Sequence, residues 1–149
     1  MDDCLIWKLH ISELRKKLNK SVGMIYKMQK LCPECVLLSL YYSLIYTHLS
    51  YGICAWGTAE DSYLEKIRVS QNKALRAITG SQFTASTDPL YNNLNVLKLD
   101  DIFQIQYASL MFDQDHGNLP SCFKTYLRKV EDIHSHNTRM TLSHNCQKI

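Results

Sequence analysis

Residues 7–31 read WKLHISELRKKLNKSVGMIYKMQKL, and their spacing decides the fold. Trp7, Ile11, Leu14, Leu18, Val22 and Ile25 recur at the i, i+4, i+7 intervals that place apolar side chains on one face of a helix. Lys16, Lys20, Lys27 and Lys30 fall on the opposite face. Gly23 interrupts this pattern at a cost of roughly 1 kcal/mol against alanine, unless something packs close to it. The chain has five glycines and three prolines in 149 residues, too few for the frequent turns of a many-stranded β protein. The sequence therefore predicts an all-α protein, an irregular bundle of about five helices.

Working outward, Pro33 fits the first turn of a new helix, expected over residues 34–49. From Cys35 to Ala59 there is no Asp, Glu, Lys or Arg. Leu37, Leu38, Leu40, Tyr41, Leu44 and Ile45 leave almost no polar face, which predicts a central helix buried on all sides. The run is long enough to span a bilayer. Ser39, Ser43, Thr47, His48 and Ser50 recur through it, however, and its tyrosines are spread rather than banded at the ends, so no membrane partner is expected. Gly52 and Gly57 leave open whether residues 50–57 extend this helix or turn out of it. A third helix is predicted over 61–79, with Leu64, Ile67, Ala74, Leu75 and Ile78 facing inward, Lys66, Lys73 and Arg76 facing outward, and Gly80 as its C-cap. Thr87-Asp88-Pro89 resembles the start of a short helix ending near Leu94. A fifth runs from Asp100 to about Gln114, buried through Ile102, Phe103, Gln106, Leu110 and Met111. Pro120 opens a further short turn through Leu127. One helical domain, 1–127, and a loosely held polar tail, 128–149, are expected.

The net charge is +3, too small to identify a partner, but its placement is uneven. Residues 5–30 carry seven lysines and arginines against Glu13, and residues 66–80 carry four against no acid. Such blocks, rather than totals, set the local field. Met1-Asp2-Asp3 is acidic where a secretory leader is basic, so the six cysteines are read as free thiols in a reducing compartment. Cys32-Pro33-Glu34-Cys35 is a single CxxC. It lacks the βαβ setting of a redox site and the second pair of a zinc site, and two apolar-packed thiols at a helix start are expected instead.

No catalytic constellation emerges. The acidic pairs Asp2-Asp3, Glu60-Asp61 and Asp100-Asp101 lack the strand–turn–strand context of a two-metal centre, and Asp100-Asp101 reads as a helix cap. There is no Walker loop, no GxSxG elbow and no dinucleotide turn. His10 is read as a core histidine at the edge of the first apolar face. Tyr41, Tyr42, Tyr46 and Tyr51 are read as packing residues rather than stacking platforms.

Leu5-Ile6-Trp7-Lys8-Leu9-His10-Ile11 resembles the L-x-W-x-x-H-I signature after the palm of jockey-like non-LTR retrotransposon reverse transcriptases. Residues 40–51, LYYSLIYTHLSY, resemble that family's YYSLIYPHLTY helix, and Ala55-Trp56-Gly57 matches the WG that follows it. Residues 71–80, QNKALRAITG, are similar to its LQKRAIRIITG stretch. Asp88-Pro89-Leu90, residues 94–99 and His136-Asn137-Thr138-Arg139 continue the order, so the similarity runs from residue 5 to about 139. Thr47 replaces a common proline and His136 a common tyrosine.

The resemblance implies an α-helical thumb and its extension, which hold template–primer against the active site of an RNA-directed DNA polymerase. It implies packing roles for Trp7, His10, Tyr42, Tyr51, Trp56 and Gln71. The nucleic-acid-binding candidates are Lys16, Lys20, Lys27, Lys30, Lys66, Lys73 and Arg76, since cations along a helix face contact phosphates without reading sequence. The expected partners are RNA or RNA–DNA duplex, bound non-specifically, and the palm of a parent reverse transcriptase. In the family the catalytic aspartates and their Mg2+ belong to that palm, so no cofactor is assigned to these residues and no polymerase activity is expected from them alone. A retroelement origin implies cytoplasm and nucleus. The alternative is a decayed or fragmentary copy that serves only as a structural or interaction module.

Overall fold

Helix α1 (Lys8–Met28) buries Ile11, Leu14, Leu18, Ser21, Val22 and Ile25, the face its spacing predicts. The structure is a computed structural model and describes residues 7–120. Among the described residues the chain is all-α. After α1 come α2 (Glu34–Tyr41), a π-helical turn (Tyr42–Tyr46) and α3 (Thr47–Ser50), then the single turn α4 (Ile53–Trp56). The chain continues through α5 (Asp61–Thr79), α6 (Asp88–Leu94) and α7 (Leu99–Asp115).

Residues up to Gln106 form one compact unit, and Tyr107 begins a second. In the second unit, the described residues end α7 in a left-handed cap at Gly117 (φ 71°), where the Asn118 N–H donates to the Asp113 carbonyl at 2.9 Å. The turn predicted after Pro120, the boundary at 127 and the tail lie outside the described residues.

In the first unit α1 packs on α5, and the α2–π–α3 rod packs on both. The Ser70 hydroxyl donates to Asn19 Oδ1 at 3.2 Å, across a separation of 51 residues. A Cβ built on Gly80 would lie 2.9 Å from Gln29 Nε2, across that same separation. Two contacts at one constant offset mean that α1 and α5 run parallel and in register.

The rod departs from expectation. It is not buried on all sides: Leu37, Tyr41, Ile45 and Leu49 are at most 1% exposed, while Cys35, Val36, Ser39, Tyr42, Ser43 and Thr47 are exposed. The uncharged exposed face carries hydroxyls that bond back along the helix. Ser39 Oγ donates to the Cys35 carbonyl, Ser43 Oγ to that of Ser39, and Thr47 Oγ1 to that of Ser43, at 3.0, 3.0 and 2.8 Å. Internal satisfaction of hydroxyls explains how an uncharged helix face meets water.

The four buried residues recur every four positions. At about 100° per residue a step of four overshoots one turn by about 40°, so an unbroken α-helix would rotate Leu49 away from the core. The π turn closes i→i+5 bonds and takes more residues per turn, which returns Ile45 and Leu49 to the buried side. Ser21 of α1 meets the same turn, its hydroxyl donating to the Leu44 carbonyl at 3.3 Å.

Residues 50–57 turn out of the rod rather than extending it. Tyr51 is extended (ψ 112°) and Gly52 adopts the left-handed region (φ 63°). Trp56 is buried, and its indole Nε1 donates to the Tyr51 carbonyl at 3.0 Å. A Cβ on the next residue, Gly57, would stand 2.5 Å from both the Ile53 carbonyl and Phe103 Cδ2. The Trp–Gly pair is therefore an indole anchor followed by a residue with no room for a side chain.

One smaller expectation is corrected, a second holds for one residue of its pair, and a third is settled. Gln106 is exposed rather than buried, although its spacing from Leu99 and Ile102 sets it on the stripe those two residues present to the core. Asp100 does not act as a helix cap. Its carboxylate pairs with Arg68 at 2.8 and 3.2 Å, and the capping bond comes from Asp101, which accepts the Lys98 N–H at 3.3 Å. Gly23 has nothing within 4 Å of a built Cβ, so no close packing explains it.

Candidate nucleic-acid interface

In sequence the lysines of α1 and α5 form separate stripes, and the parallel packing brings them to one seam. On the α1 wheel, Asn19 stands between the buried face and Lys16. On α5, Ser70 stands between the buried Ala74 and the row of Lys66 and Lys73. Because Asn19 and Ser70 bond to each other, the lysine rows rise on either side of the contact and point outward from it. Lys16, Lys20, Lys27 and Lys66 are exposed and Lys73 is half-buried. Lys30 lies just past the end of α1, also exposed.

These cations are not equally available. Lys16 Nζ pairs with Glu13 at 2.7 Å on the open surface, and that bond holds the Glu13 carboxyl below its usual range. Exposed pairs of this kind are weak and screened by salt. Lys66 Nζ lies 5.0 Å from the Tyr63 ring centroid. Arg76 is committed to structure: its Nε and Nη2 both donate to the Ala85 carbonyl, at 3.0 and 2.9 Å, which fastens the loop after α5. Arg68, not among the predicted residues, is likewise engaged, with Asp61, Glu65 and Asp100 around it. Hydrogen bonds to Asp100 and Asp61 raise its already high pKa further.

The residues expected to pack divide in the same way. Gln71 is buried and bonded at both ends of its amide: its Nε2 donates to the Tyr41 hydroxyl and the Leu97 carbonyl, and its Oε1 accepts the Leu99 N–H. Trp7 is half-buried against the core. His10 is exposed, not a core histidine; its ring lies 5.9 Å from Trp7 and 6.2 Å from Trp56, centroid to centroid. The Tyr42 ring is partly exposed, and its hydroxyl donates to the Asn95 carbonyl at 3.3 Å. Tyr51 is 79% exposed, so its carbonyl rather than its ring serves the packing of Trp56.

Cys32 packs at the core edge, whereas Cys35 is exposed rather than apolar-packed. Among the described residues no cluster of three His, Cys, Asp or Glu side chains could hold a metal. No helix there is long and apolar enough to cross a membrane.

No family profile matches the chain, and no solved structure matches it. The RNA-directed DNA polymerase of the mobile element jockey of Drosophila melanogaster is 32% identical over 108 residues, covering 70% of this chain. A probable RNA-directed DNA polymerase from the transposon X-element of the same fly is 27% identical over 104 residues, covering 68%. The chain spans about 12% of the length of each relative. Over that shared stretch, it belongs with the RNA-directed DNA polymerases of jockey-like non-LTR retrotransposons.

Proposed function

We propose that this chain supplies a thumb-type, sequence-independent grip on template–primer nucleic acid, either RNA or RNA–DNA duplex. It does so beside the catalytic palm of a reverse transcriptase rather than by polymerising alone. The observation that carries this reading is the seam: lysines from two parallel helices converge on one outward surface. Cations so arranged neutralise phosphates along a backbone and carry no base readout. Neutralised phosphates release counterions, so affinity falls steeply with salt. Similarity to two RNA-directed DNA polymerases supports nucleic acid as the partner.

The test is fluorescence anisotropy with a labelled RNA–DNA duplex at low and physiological salt. Binding that weakens steeply with salt, and is lost when Lys16, Lys20 and Lys27 become glutamine, is the expected result. A flat trace at micromolar protein, from a sample helical by circular dichroism, removes the grip. A second reading, a helical module that binds only protein, is favoured by the exposed apolar side chains of Leu9, Leu31 and Val36, and the flat trace would select it.

A further inference from the structure

The outward face of α5 carries Lys66, Val69, Lys73 and Arg76 at helical spacing, and the chain leaves this face into a loop that is held rather than free. Gly80 takes the left-handed conformation (φ 67°), and the Ser81 N–H donates to the Arg76 carbonyl at 3.1 Å. The Thr79 and Ser81 hydroxyls bond to each other at 2.7 Å. Farther along, the Arg76 fork on the Ala85 carbonyl closes the loop back onto the helix.

Between these two fastenings stands Phe83, 69% exposed. The Arg76 guanidinium carbon lies 5.9 Å from the Phe83 ring centroid. The ring therefore has a cation beside it and most of its surface in water. The fork uses only Nε and Nη2, and Nη1 of Arg76 makes no bond among the described residues. An exposed aromatic ring on a fastened loop, at the end of a row of cations, combines the two elements by which proteins hold unpaired nucleotides: a stacking surface and a phosphate track.

We propose that Phe83 is a stacking platform for an unpaired base where a duplex gives way to single strand, with Arg76 Nη1 and Lys73 meeting the adjoining phosphates. This rests on the grip proposed above and adds to it a preference for an end over a continuous duplex. The expectation that the tyrosines are no stacking platforms is untouched, since Phe83 lies on a different element.

The experiment compares a blunt RNA–DNA duplex, the same duplex with a short single-stranded overhang, and that overhang with an abasic site beside the junction. Wild-type chain should favour the overhang by on the order of tenfold, the scale of one stacked base. The abasic probe should lose that preference. Phe83→Leu, which keeps apolar bulk but not the ring, should bring the affinity ratio near one, and Phe83→Trp should retain it. Because Phe83 is largely exposed, these variants are expected to melt like wild type, and a melting curve for each checks this.

Equal wild-type affinity for blunt and overhang probes overturns the platform and leaves the grip intact. A preference that survives Phe83→Leu, or persists on the abasic probe, also overturns it. Overhang binding without blunt binding keeps the platform and removes the duplex grip. No binding to either probe at low salt overturns both.

Discussion

The Gln71 amide donates to the Tyr41 hydroxyl at 2.9 Å, and the two side chains are 1% and 0% exposed. From α5, one amide thereby reaches two further segments: the rod through Tyr41, and the chain entering α7 through the Leu97 carbonyl and the Leu99 N–H. Every hydrogen-bonding group of that amide's geometry has work to do, apart from one spare lone pair. Burial pushes the Tyr41 hydroxyl well above the ordinary tyrosine range, so it stays neutral and able to accept.

Replacing Gln71 with leucine strands buried partners on two segments. Unsatisfied buried groups cost about 1–3 kcal/mol each, so Gln71→Leu should destabilise by about 2–4 kcal/mol in denaturant titration. Combined with Tyr41→Phe, the loss should be smaller than the sum, because both changes remove one shared bond. Strict additivity would mean that the bond contributes nothing.

Gly57→Ala should cost about 1–3 kcal/mol, since the new methyl meets the Ile53 carbonyl and the Phe103 ring at once. Trimming Phe103 to leucine in the Gly57→Ala background should recover part of that loss and not all, because the carbonyl contact remains. Equal melting temperatures for wild type and Gly57→Ala would refute the close approach.

Gly23→Ala should act in the opposite direction. The position is helical with open space around it, so alanine gains helix propensity and restricts the unfolded chain without a clash. A stabilisation of about 0.5–1 kcal/mol is expected from the shift in unfolding midpoint.

Alkaline pH should loosen the fold through Tyr41 and Tyr91, both raised chiefly by burial. An unfolded tyrosine ionises near pH 10, before the folded one does. The stabilising effect of the neutral hydroxyls is therefore complete below about pH 10 and is lost as pH rises toward the higher folded values. Stability should fall by up to about 1.4 kcal/mol per pH unit for each tyrosine above that point. Tyr91→Phe should make the decline shallower than in wild type, and an unchanged slope would count against burial as the cause.

Charge reversal on α5 should separate binding from folding. Lys66→Glu with Lys73→Glu should weaken duplex binding and flatten its dependence on salt while leaving the melt nearly unchanged. Arg76→Ala should lower the melting temperature as well, because it releases the loop at Ala85. If Arg76→Ala melts like wild type, the fork does not fasten the loop.

Much of this fold is written locally. Helix periodicity is a property of neighbouring residues, so the faces of α1 and α5, the cap at Gly80 and the sign of charge on each outer surface are all legible in sequence. The four-residue repeat of Leu37, Tyr41, Ile45 and Leu49 was equally legible, and it is the signal that could have foretold the π turn. Partnership is different, because it depends on which distant segment arrives opposite a side chain. Only the tertiary structure assigned Gln71 to Tyr41 and the 97–99 strap, committed Arg76 and Arg68 to structure, and placed His10 and Tyr51 in solvent. Only the parallel register of α1 and α5 turned two separate lysine stripes into one surface. The physical reason is that a residue's face is fixed within a turn or two of helix, whereas its contacts are fixed by packing between segments tens of residues apart.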